Sequence, residues 1–254
     1  MKFGVCTGFE NLDTAARLGF DYIECTVTSV EAMSDSEFAA LEAKIRASTI
    51  KIERFNVLFP GTMRLVGPEA DPVKIRAYLE KALARVKALG GSAVVFGSGR
   101  SRVFPPEMPF RDAFRELIRV TRLIGEVAAK YSLVIVIEPL NCGESNCINS
   151  VREGAMLEAA VDHPNIQLLA DNFHMLKDRE AMEKLLEIKK LKHTHISLLE
   201  GRAFPTVSHN DVQGFFDALK KIGYDGTMSI EGKAADFEKD AAASLKVLRA
   251  AAAV

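Results

Sequence analysis

The sequence predicts an α/β protein, a single (β/α)8 TIM barrel that spans residues 1–254. Three observations predict this fold. Eight short apolar segments alternate with amphipathic segments of helical periodicity. The strand–helix units average about 32 residues each, which suits a barrel of about 250 residues. No linker, low-complexity tract or shift in composition divides the chain, so we expect one domain.

The predicted strands are short apolar runs, as expected for strands covered by helices. In chain order they are FGVCT (3–7), YIECTV (22–27), IERFNVLF (52–59), SAVVFGS (92–98), LVIVIE (133–138), IQLLAD (166–171), LKHTHIS (191–197) and TMSIE (227–231). The clearest helices are SEFAALEAKIRAS (36–48), PVKIRAYLEKALARVKALG (72–90), FRELIRVTRLIGEVAAKY (114–131) and the closing DFEKDAAASLKVLRAAAA (236–253).

Glycines mark the ends of two predicted helices. The segments ALGG (88–91) and KIGYDG (221–226) show glycine just past the helix end, where a left-handed backbone conformation is favoured. The longest predicted loop, residues 60–71, carries Met63, Leu65 and Val66, apolar residues that water-facing loops usually avoid. We expect this loop to act as a lid over the barrel or as a contact between subunits.

Composition and charge exclude several classes of protein. The chain has 33 Lys+Arg and 34 Asp+Glu and a net charge of −1, so no basic field attracts nucleic acid or an acidic membrane. Its four cysteines lack zinc-finger spacing, which suits a reducing compartment. The first residues lack a sustained apolar core, and no apolar run approaches the roughly 18 residues of a membrane helix. We therefore expect a soluble, cytoplasmic protein without a nucleic-acid or membrane partner.

Acidic and histidine residues end the last four predicted strands. Strand five ends in Glu138, strand six in Asp171, strand seven in His195 and strand eight in Glu231. In such barrels the chemistry takes place at the carboxyl ends of the strands. Three carboxylates and one imidazole suit an oxygen-preferring divalent ion such as Mn²⁺, Mg²⁺ or Co²⁺. Without a cation, the crowded carboxylates would repel each other.

One carboxylate at a strand end is usually just solvated, so the metal-site prediction depends on all four residues falling in register. Alternation along a strand supports that register, because it places Val136 beneath Glu138 and Leu169 beneath Asp171.

The remaining histidines have simpler interpretations. His193 shares a face with His195 but lies deeper, which favours a packed or supporting histidine over a fifth ligand. His163 precedes strand six, at the opposite end of the barrel, where a structural role is expected. His209 is expected in a loop or at a helix N-cap.

These residues stand in motifs that resemble the xylose isomerase-like barrels of sugar epimerases and isomerases. The nearest branch is similar to the ketose 3-epimerases, typified by D-tagatose 3-epimerase, with hydroxypyruvate isomerases close by. The resemblance covers most of the chain and is most specific from residue 92 onward. The segments that carry it are IEPLNCGE (137–144), LLADNFHM (168–175), HTHIS (193–197), GRAFP (201–205) and KKIGYDGTMSIEG (220–232).

The resemblance implies a role for each matching residue. The implied metal ligands are Glu138, Asp171, His195 and Glu231, of which the two glutamates are also the implied catalytic carboxylates. The implied substrate contacts are Glu144, His174 and Arg202. Two positions depart from the family pattern. Cys142 stands where arginine is common in the family, and Arg202 comes one residue later after the histidine than is usual. Both departures concern which substrate is bound rather than which reaction is catalysed.

The implied activity is that of a divalent-metal-dependent epimerase or isomerase acting on a ketose or related small sugar. Mn²⁺ is the first candidate for the cation, and Mg²⁺, Co²⁺ or Zn²⁺ are the other candidates. The cation would polarise the substrate carbonyl and stabilise an enediolate. Of Glu138 and Glu231, one would remove a proton and the other return one, giving epimerisation or aldose–ketose isomerisation. The resemblance also implies a homodimer or homotetramer.

Three alternatives stay open. Apurinic-site endonucleases resemble strands five to eight but need extra histidines on earlier strands, and this chain has none before His163. A metal-assisted dehydratase of a polyol or inosose would share the proton abstraction and then expel a hydroxyl. A catalytically inactive barrel would keep the fold for binding. Beside the predicted site, Cys142 and Cys147 are expected to be free thiols rather than a regulatory disulfide.

Overall fold

Eight parallel strands form a closed barrel in chain order, in a computed structural model that describes residues 1–253. Each strand pairs with the next, and β1 pairs with β8 to close the sheet. The fold is therefore the predicted TIM barrel. Its strands are β1 (Lys2–Cys6), β2 (Tyr22–Thr26), β3 (Lys51–Asn56), β4 (Ala93–Phe96), β5 (Val134–Ile137), β6 (Ile166–Asp171), β7 (His193–Ile196) and β8 (Thr227–Ile230).

Helices cover the outside of the barrel. They are α1 (Leu12–Leu18), α2 (Val27–Ala32), α3 (Asp35–Ala47), α4 (Pro72–Ala88), α5 (Gly99–Arg102), α6 (Phe110–Lys130), α7 (Val151–Val161), α8 (Asn172–Lys177), α9 (Asn210–Lys221) and α10 (Phe237–Ala253), with 3-10 turns at Phe9–Asn11, Met182–Glu187 and Glu200–Arg202. The sixth unit is irregular, because the six-residue α8 and a 3-10 turn replace a long helix between β6 and β7.

The observed strand ends lie within two residues of the predicted ones, except in β3. This strand was predicted to continue to residue 59 but ends at Asn56. The reason is local, because Val57 adopts a left-handed backbone conformation with φ of 49°, which is incompatible with a β-strand. Its side chain is 42% exposed.

Helix ends follow the sequence signals. Gly90 and Gly223 have φ values of 93° and 67°, as predicted for glycines just past a helix. Asp71 caps the start of α4 by accepting from the backbone of Val73 and Lys74. These local signals fix where helices stop and start around the barrel.

The interior of the barrel has two sides of opposite character. On the side of β4 to β6, Val95, Val134, Val136 and Leu169 form a separate apolar cluster. The other side, from β7 through β8 and β1 to β3, is filled by polar side chains, namely Tyr22, Glu24, Arg54, His193 and Ser229. Gly4 of β1 makes room there, since a Cβ at this position would lie 2.2 Å from the Tyr22 ring.

The loop of residues 60–71 does not behave as predicted. Leu65 and Val66 are each only 2% exposed and belong to the main apolar core, against which Met63 also packs. The backbone of Leu65 donates to the carbonyl of Ser101 at 2.9 Å. The apolar residues of this loop are thus covered by the chain itself, so they give no support to a lid or a subunit contact.

Within residues 1–253, no helix combines the length and the apolar character needed to cross a membrane.

Candidate metal centre

The four residues predicted from the strand ends come together at the mouth of the barrel. Glu138 directly follows β5, Asp171 ends β6, His195 lies in β7, and Glu231 directly follows β8. One ligand atom from each side chain lies within 4.8 Å of the other three. Two ligands on opposite sides of a cation are about 4.2 Å apart when each bond is about 2.1 Å long. The spacing is therefore close to what one shared cation requires.

His195 occupies the middle of this group. Its Nδ1 lies 3.0 Å from Glu138 Oε1 and 3.2 Å from Glu231 Oε2. The ring of His195 is fully buried, and Glu138 and Asp171 are nearly so. The two glutamates thus converge on one imidazole nitrogen from β5 and β8, with β6 and β7 between them.

The protein environment shifts the acidity of these groups in opposite directions. Burial raises the pKa of Glu138, and burial also raises the pKa of Asp171, to about 6. Burial alone would raise the pKa of Glu231 too, but the charges of His195 and Arg202 outweigh it and lower this pKa to about 2. Burial opposes the protonation of His195, yet the charges of Glu24 and Glu231 raise its pKa well above the usual value.

The donor set fits a divalent cation. Three carboxylates and one imidazole form the oxygen-rich set that Mn²⁺, Mg²⁺ and Co²⁺ prefer. Around the mouth, Asn56 Oδ1, Ser197 Oγ and Arg202 Nε are buried without a hydrogen-bond partner among the described residues. Buried polar atoms usually have partners. The mouth thus offers both a place for a cation and free hydrogen-bonding atoms for a polar ligand.

Arg202 reaches this centre from the 3-10 turn after β7. Its Nη2 lies 3.1 Å from Asp171 Oδ2 and also pairs with Glu231 Oε2. Gly201 and Arg202 have φ values of 65° and 52°. The turn thereby places the guanidinium over the acidic residues despite the unusual spacing of Arg202 in the sequence.

His174 and Glu144 lie at the edge of the same mouth. His174 Nδ1 accepts from the backbone N–H of Asn141 at 3.2 Å, so its proton sits on Nε2, which lies 3.5 Å from Asp171 Oδ2. Glu144 Oε1 accepts from Asn141 Nδ2 at 2.9 Å and is 4.0 Å from Arg202. The structure thus brings all seven predicted site residues to one mouth.

Two residues after β4 hold Glu138 in place. Arg102 is fully buried, and it donates to the carbonyls of Phe96 at 3.0 Å and Glu138 at 2.7 Å. Gly97 faces the carboxylate of Glu138, since a Cβ at this position would lie 2.2 Å from Glu138 Oε2. Both come from the segment GSGRSRVFP (97–105) after β4, which therefore has a structural use.

Three residues near the centre were not predicted from the sequence. They are Cys6, Glu24 and Asn56, from β1, β2 and β3. Glu24 and Cys6 each place an atom within 4.8 Å of His195, and Asn56 Nδ2 donates to Glu231 Oε1 at 3.2 Å. The signal for Glu24 was available: a carboxylate in the middle of a buried strand needs a buried partner.

The other histidines and the two loop cysteines do not belong to the group of four side chains at the mouth. His193 is fully buried in the barrel interior. His209 caps α9 by accepting from the backbone of Asp211, and His163 accepts from the backbone of Asn165 before β6. Cys142 is exposed, whereas Cys147 is buried and donates to the carbonyl of Arg102.

Comparisons with known proteins agree with this architecture. A "Putative hydroxypyruvate isomerase" of Streptomyces coelicolor is 26% identical over 240 residues, which cover 87% of this chain and 84% of that protein. An L-ribulose 3-epimerase of Methylomonas sp. is 25% identical over 226 residues, covering 85% and 75%. A crystal structure of D-psicose 3-epimerase in the presence of D-fructose superposes with a TM-score of 0.87 at 20% identity and covers both chains completely.

The family profile described as "Xylose isomerase-like TIM barrel" matches residues 12–251, nearly the whole chain. With the closed eight-stranded barrel and the residues gathered at its mouth, this match shows that the chain belongs to the xylose isomerase-like TIM barrel family.

Proposed function

We propose that the protein is a divalent-metal-dependent sugar epimerase or isomerase that acts on a ketose or a related small carbohydrate. One observation carries the proposal: Glu138, Asp171, His195 and Glu231, from four successive strands, place ligand atoms within 4.8 Å of one another at the barrel mouth. The names of the similar proteins, two sugar 3-epimerases and a hydroxypyruvate isomerase, indicate the same class of reaction.

The proposed metal ligands are these four side chains, with Mn²⁺ as the first candidate. When bound, the cation would polarise the substrate carbonyl and favour the negative charge that develops on its oxygen. A cation in this position would thereby make it easier to remove a proton from the carbon next to the carbonyl.

Glu138 and Glu231 are the proposed proton-transferring pair. Both carboxylates lie next to His195 Nδ1, at 3.0 Å and 3.2 Å, but they extend from different sides of the mouth. One would take the proton from the carbon next to the carbonyl, which gives an enediolate. The other would return a proton to the opposite face of that carbon or to the neighbouring carbon. A positioned base or acid contributes on the order of 10²–10⁴-fold to the rate.

Arg202, His174 and Glu144 are the proposed contacts to the sugar. The guanidinium of Arg202 and the Nε2–H of His174 both point to the Asp171 side of the centre, where they can donate to substrate oxygens. Glu144 is half-exposed at the rim and can accept from a hydroxyl. The unpartnered Asn56 Oδ1 and Ser197 Oγ add an acceptor and a hydroxyl. A polyhydroxylated ligand matches this mixture of donors and acceptors.

The test is a screen of free and phosphorylated ketoses, together with hydroxypyruvate, in D₂O with Mn²⁺. We expect deuterium to enter next to the carbonyl of at least one compound, detected by NMR, with an epimer or isomer as the product. Glu138→Gln and Glu231→Gln should each reduce this exchange at least about 100-fold, because each removes one proton-transferring carboxylate. Glu126→Gln, on the exposed face of α6, is the matched control and should exchange like the wild type.

Other outcomes would contradict the proposal. Wild-type exchange in Glu138→Gln or Glu231→Gln would exclude the two-carboxylate scheme. A product lighter by one water would indicate a dehydratase, and no exchange with any of these compounds would argue against a sugar isomerase of this kind.

A further inference from the structure

A buried carboxylate, Glu24 of β2, lies directly behind the proposed metal centre. It is 1% exposed. Its Oε1 lies 3.0 Å from His195 Nε2, its Oε2 lies 2.9 Å from His193 Nε2, and the hydroxyl of Ser229 donates to Oε2 at 2.6 Å. Glu24 therefore contacts the one imidazole of the centre from the side opposite to Glu138 and Glu231.

We propose that Glu24 is a positioning residue that holds His195 with Nδ1 turned toward the metal centre; this inference rests on the proposed function. A carboxylate can only accept, so His195 carries a proton on Nε2 and donates it to Glu24. Nδ1 faces Glu138 and Glu231 and is the nitrogen left to bind a cation, whose arrival would displace the proton that Nδ1 shares with these carboxylates. A carboxylate behind a metal-binding histidine fixes both the tautomer and the orientation of the ring.

The hydrogen bonds around Glu24 run in one consistent direction. Arg54 Nε donates to Thr227 Oγ1 at 3.2 Å, and this hydroxyl can donate to His193 Nδ1 at 2.8 Å. His193 then donates from Nε2 to Glu24. On the other branch, the Tyr22 hydroxyl lies 2.9 Å from Ser229 Oγ and can donate to it. Every donor points toward Glu24, so both of its oxygens are already engaged.

This arrangement disfavours a second use of Glu24. Cys6, Glu24 and His195 also place atoms within 4.8 Å of one another, as a second cation site would require. A cation there would have to displace the hydrogen bond from His195 to Glu24 and compete with those from His193 and Ser229. The geometry therefore points to Glu24 as a support for His195 rather than as a ligand.

The test compares Glu24→Gln with the wild type. Glutamine has one acceptor oxygen and one NH₂ group, so it can accept a hydrogen bond from only one of the two histidines, and it lacks the negative charge of Glu24. We expect the affinity of metal-free protein for Mn²⁺, measured by calorimetry, to fall about 10- to 100-fold. In the metal-free protein, the Nε2–H proton of His195 should give a low-field, exchange-protected NMR signal in the wild type, because it donates to Glu24, and this signal should be lost or move upfield in Glu24→Gln.

Tyr22→Phe is the control, because it removes a hydroxyl from the same buried network but leaves the contacts of Glu24 to His195 and His193. It should bind Mn²⁺ within about twofold of the wild type. If Glu24→Gln does not fold, Ser229→Ala removes a single donor to Glu24 and should weaken Mn²⁺ binding by several-fold.

The two proposals can fail separately. If wild-type protein binds no Mn²⁺, the proposed function fails, while the NMR signal of the His195 Nε2–H proton in metal-free protein still decides the role of Glu24. An unchanged His195 Nε2–H signal and an unchanged Mn²⁺ affinity in Glu24→Gln, with only lower stability, would overturn the positioning role. Two Mn²⁺ per chain, one of them lost in Cys6→Ser, would overturn it in favour of Glu24 as a ligand.

Discussion

The two sides of the barrel interior support the same mouth in different ways. Beneath Glu138 and Asp171 lie Val136 and Leu169, which are fully buried in an apolar cluster. Beneath His195 and Glu231 lie His193 and Ser229, which are linked by hydrogen bonds to Glu24. Barrel interiors are commonly filled by layers of branched apolar side chains, so the polar side needs a specific reason.

The difference between the apolar and the polar side indicates what a carboxylate ligand and an imidazole ligand each need from the residues that support them. A carboxylate bound to a cation can be held by packing from below and by backbone contacts, as Arg102 and Gly97 provide for Glu138. An imidazole must also have a defined tautomer and ring orientation, which packing alone cannot fix. The buried polar network therefore lies on the side of the barrel where the histidine stands.

The largest effect is expected for Leu169→Ala on the apolar side. Leu169 is fully buried, so truncation should lower the free energy of unfolding by about 2–5 kcal/mol. Urea unfolding measures this, and Leu186→Ala, which truncates a 48% exposed leucine, is the control with a change below about 1 kcal/mol. A loss for Leu169→Ala no larger than that of the control would show that packing does not support this side.

A second prediction concerns the top of the same side. In Gly97→Ala the new methyl group would meet Glu138 Oε2 and displace the carboxylate. We expect exchange activity and Mn²⁺ affinity to fall about 10- to 100-fold, since small displacements of a reacting group are costly. Gly214→Ala, in α9 with nothing within 4 Å of the added atom, should be fully active. Equal activity in the two variants would contradict the placement of Glu138.

The smallest effect is expected for Thr227→Val on the polar side. This change removes the hydroxyl between Arg54 and His193 but leaves the Thr227 carbonyl beside His193 Nδ1. The free energy of unfolding should fall by about 0.5–1.5 kcal/mol, the usual contribution of one hydrogen bond. Thr227→Ser, which keeps the hydroxyl, should lose less free energy of unfolding than Thr227→Val, as measured by urea unfolding. A larger loss in Thr227→Ser would mean that the methyl group contributes more to stability than the hydrogen bonds of the hydroxyl.

The sequence was most informative where function lies at the ends of strands. Glu138, Asp171, His195 and Glu231 each end an apolar run, and one barrel brings such ends together. The position of Glu24 within a buried strand indicates a buried partner, but its partners lie 169 and 171 residues away in the chain, so periodicity could not identify them. The apolar residues of loop 60–71 were misinterpreted for a related reason, since only the folded chain shows that the core covers them.

The most direct test of the account is a titration of metal-free protein with Mn²⁺, followed by calorimetry, in the wild type and in Asp171→Asn. Asp162→Asn is the control, because Asp162 has a φ of 48° that asparagine also adopts and lies before β6, at the other end of the barrel. We predict one Mn²⁺ per chain in the wild type and in Asp162→Asn, and binding at least tenfold weaker in Asp171→Asn. Equal Mn²⁺ affinity in all three proteins, or no binding in any, would contradict a shared cation site at the barrel mouth.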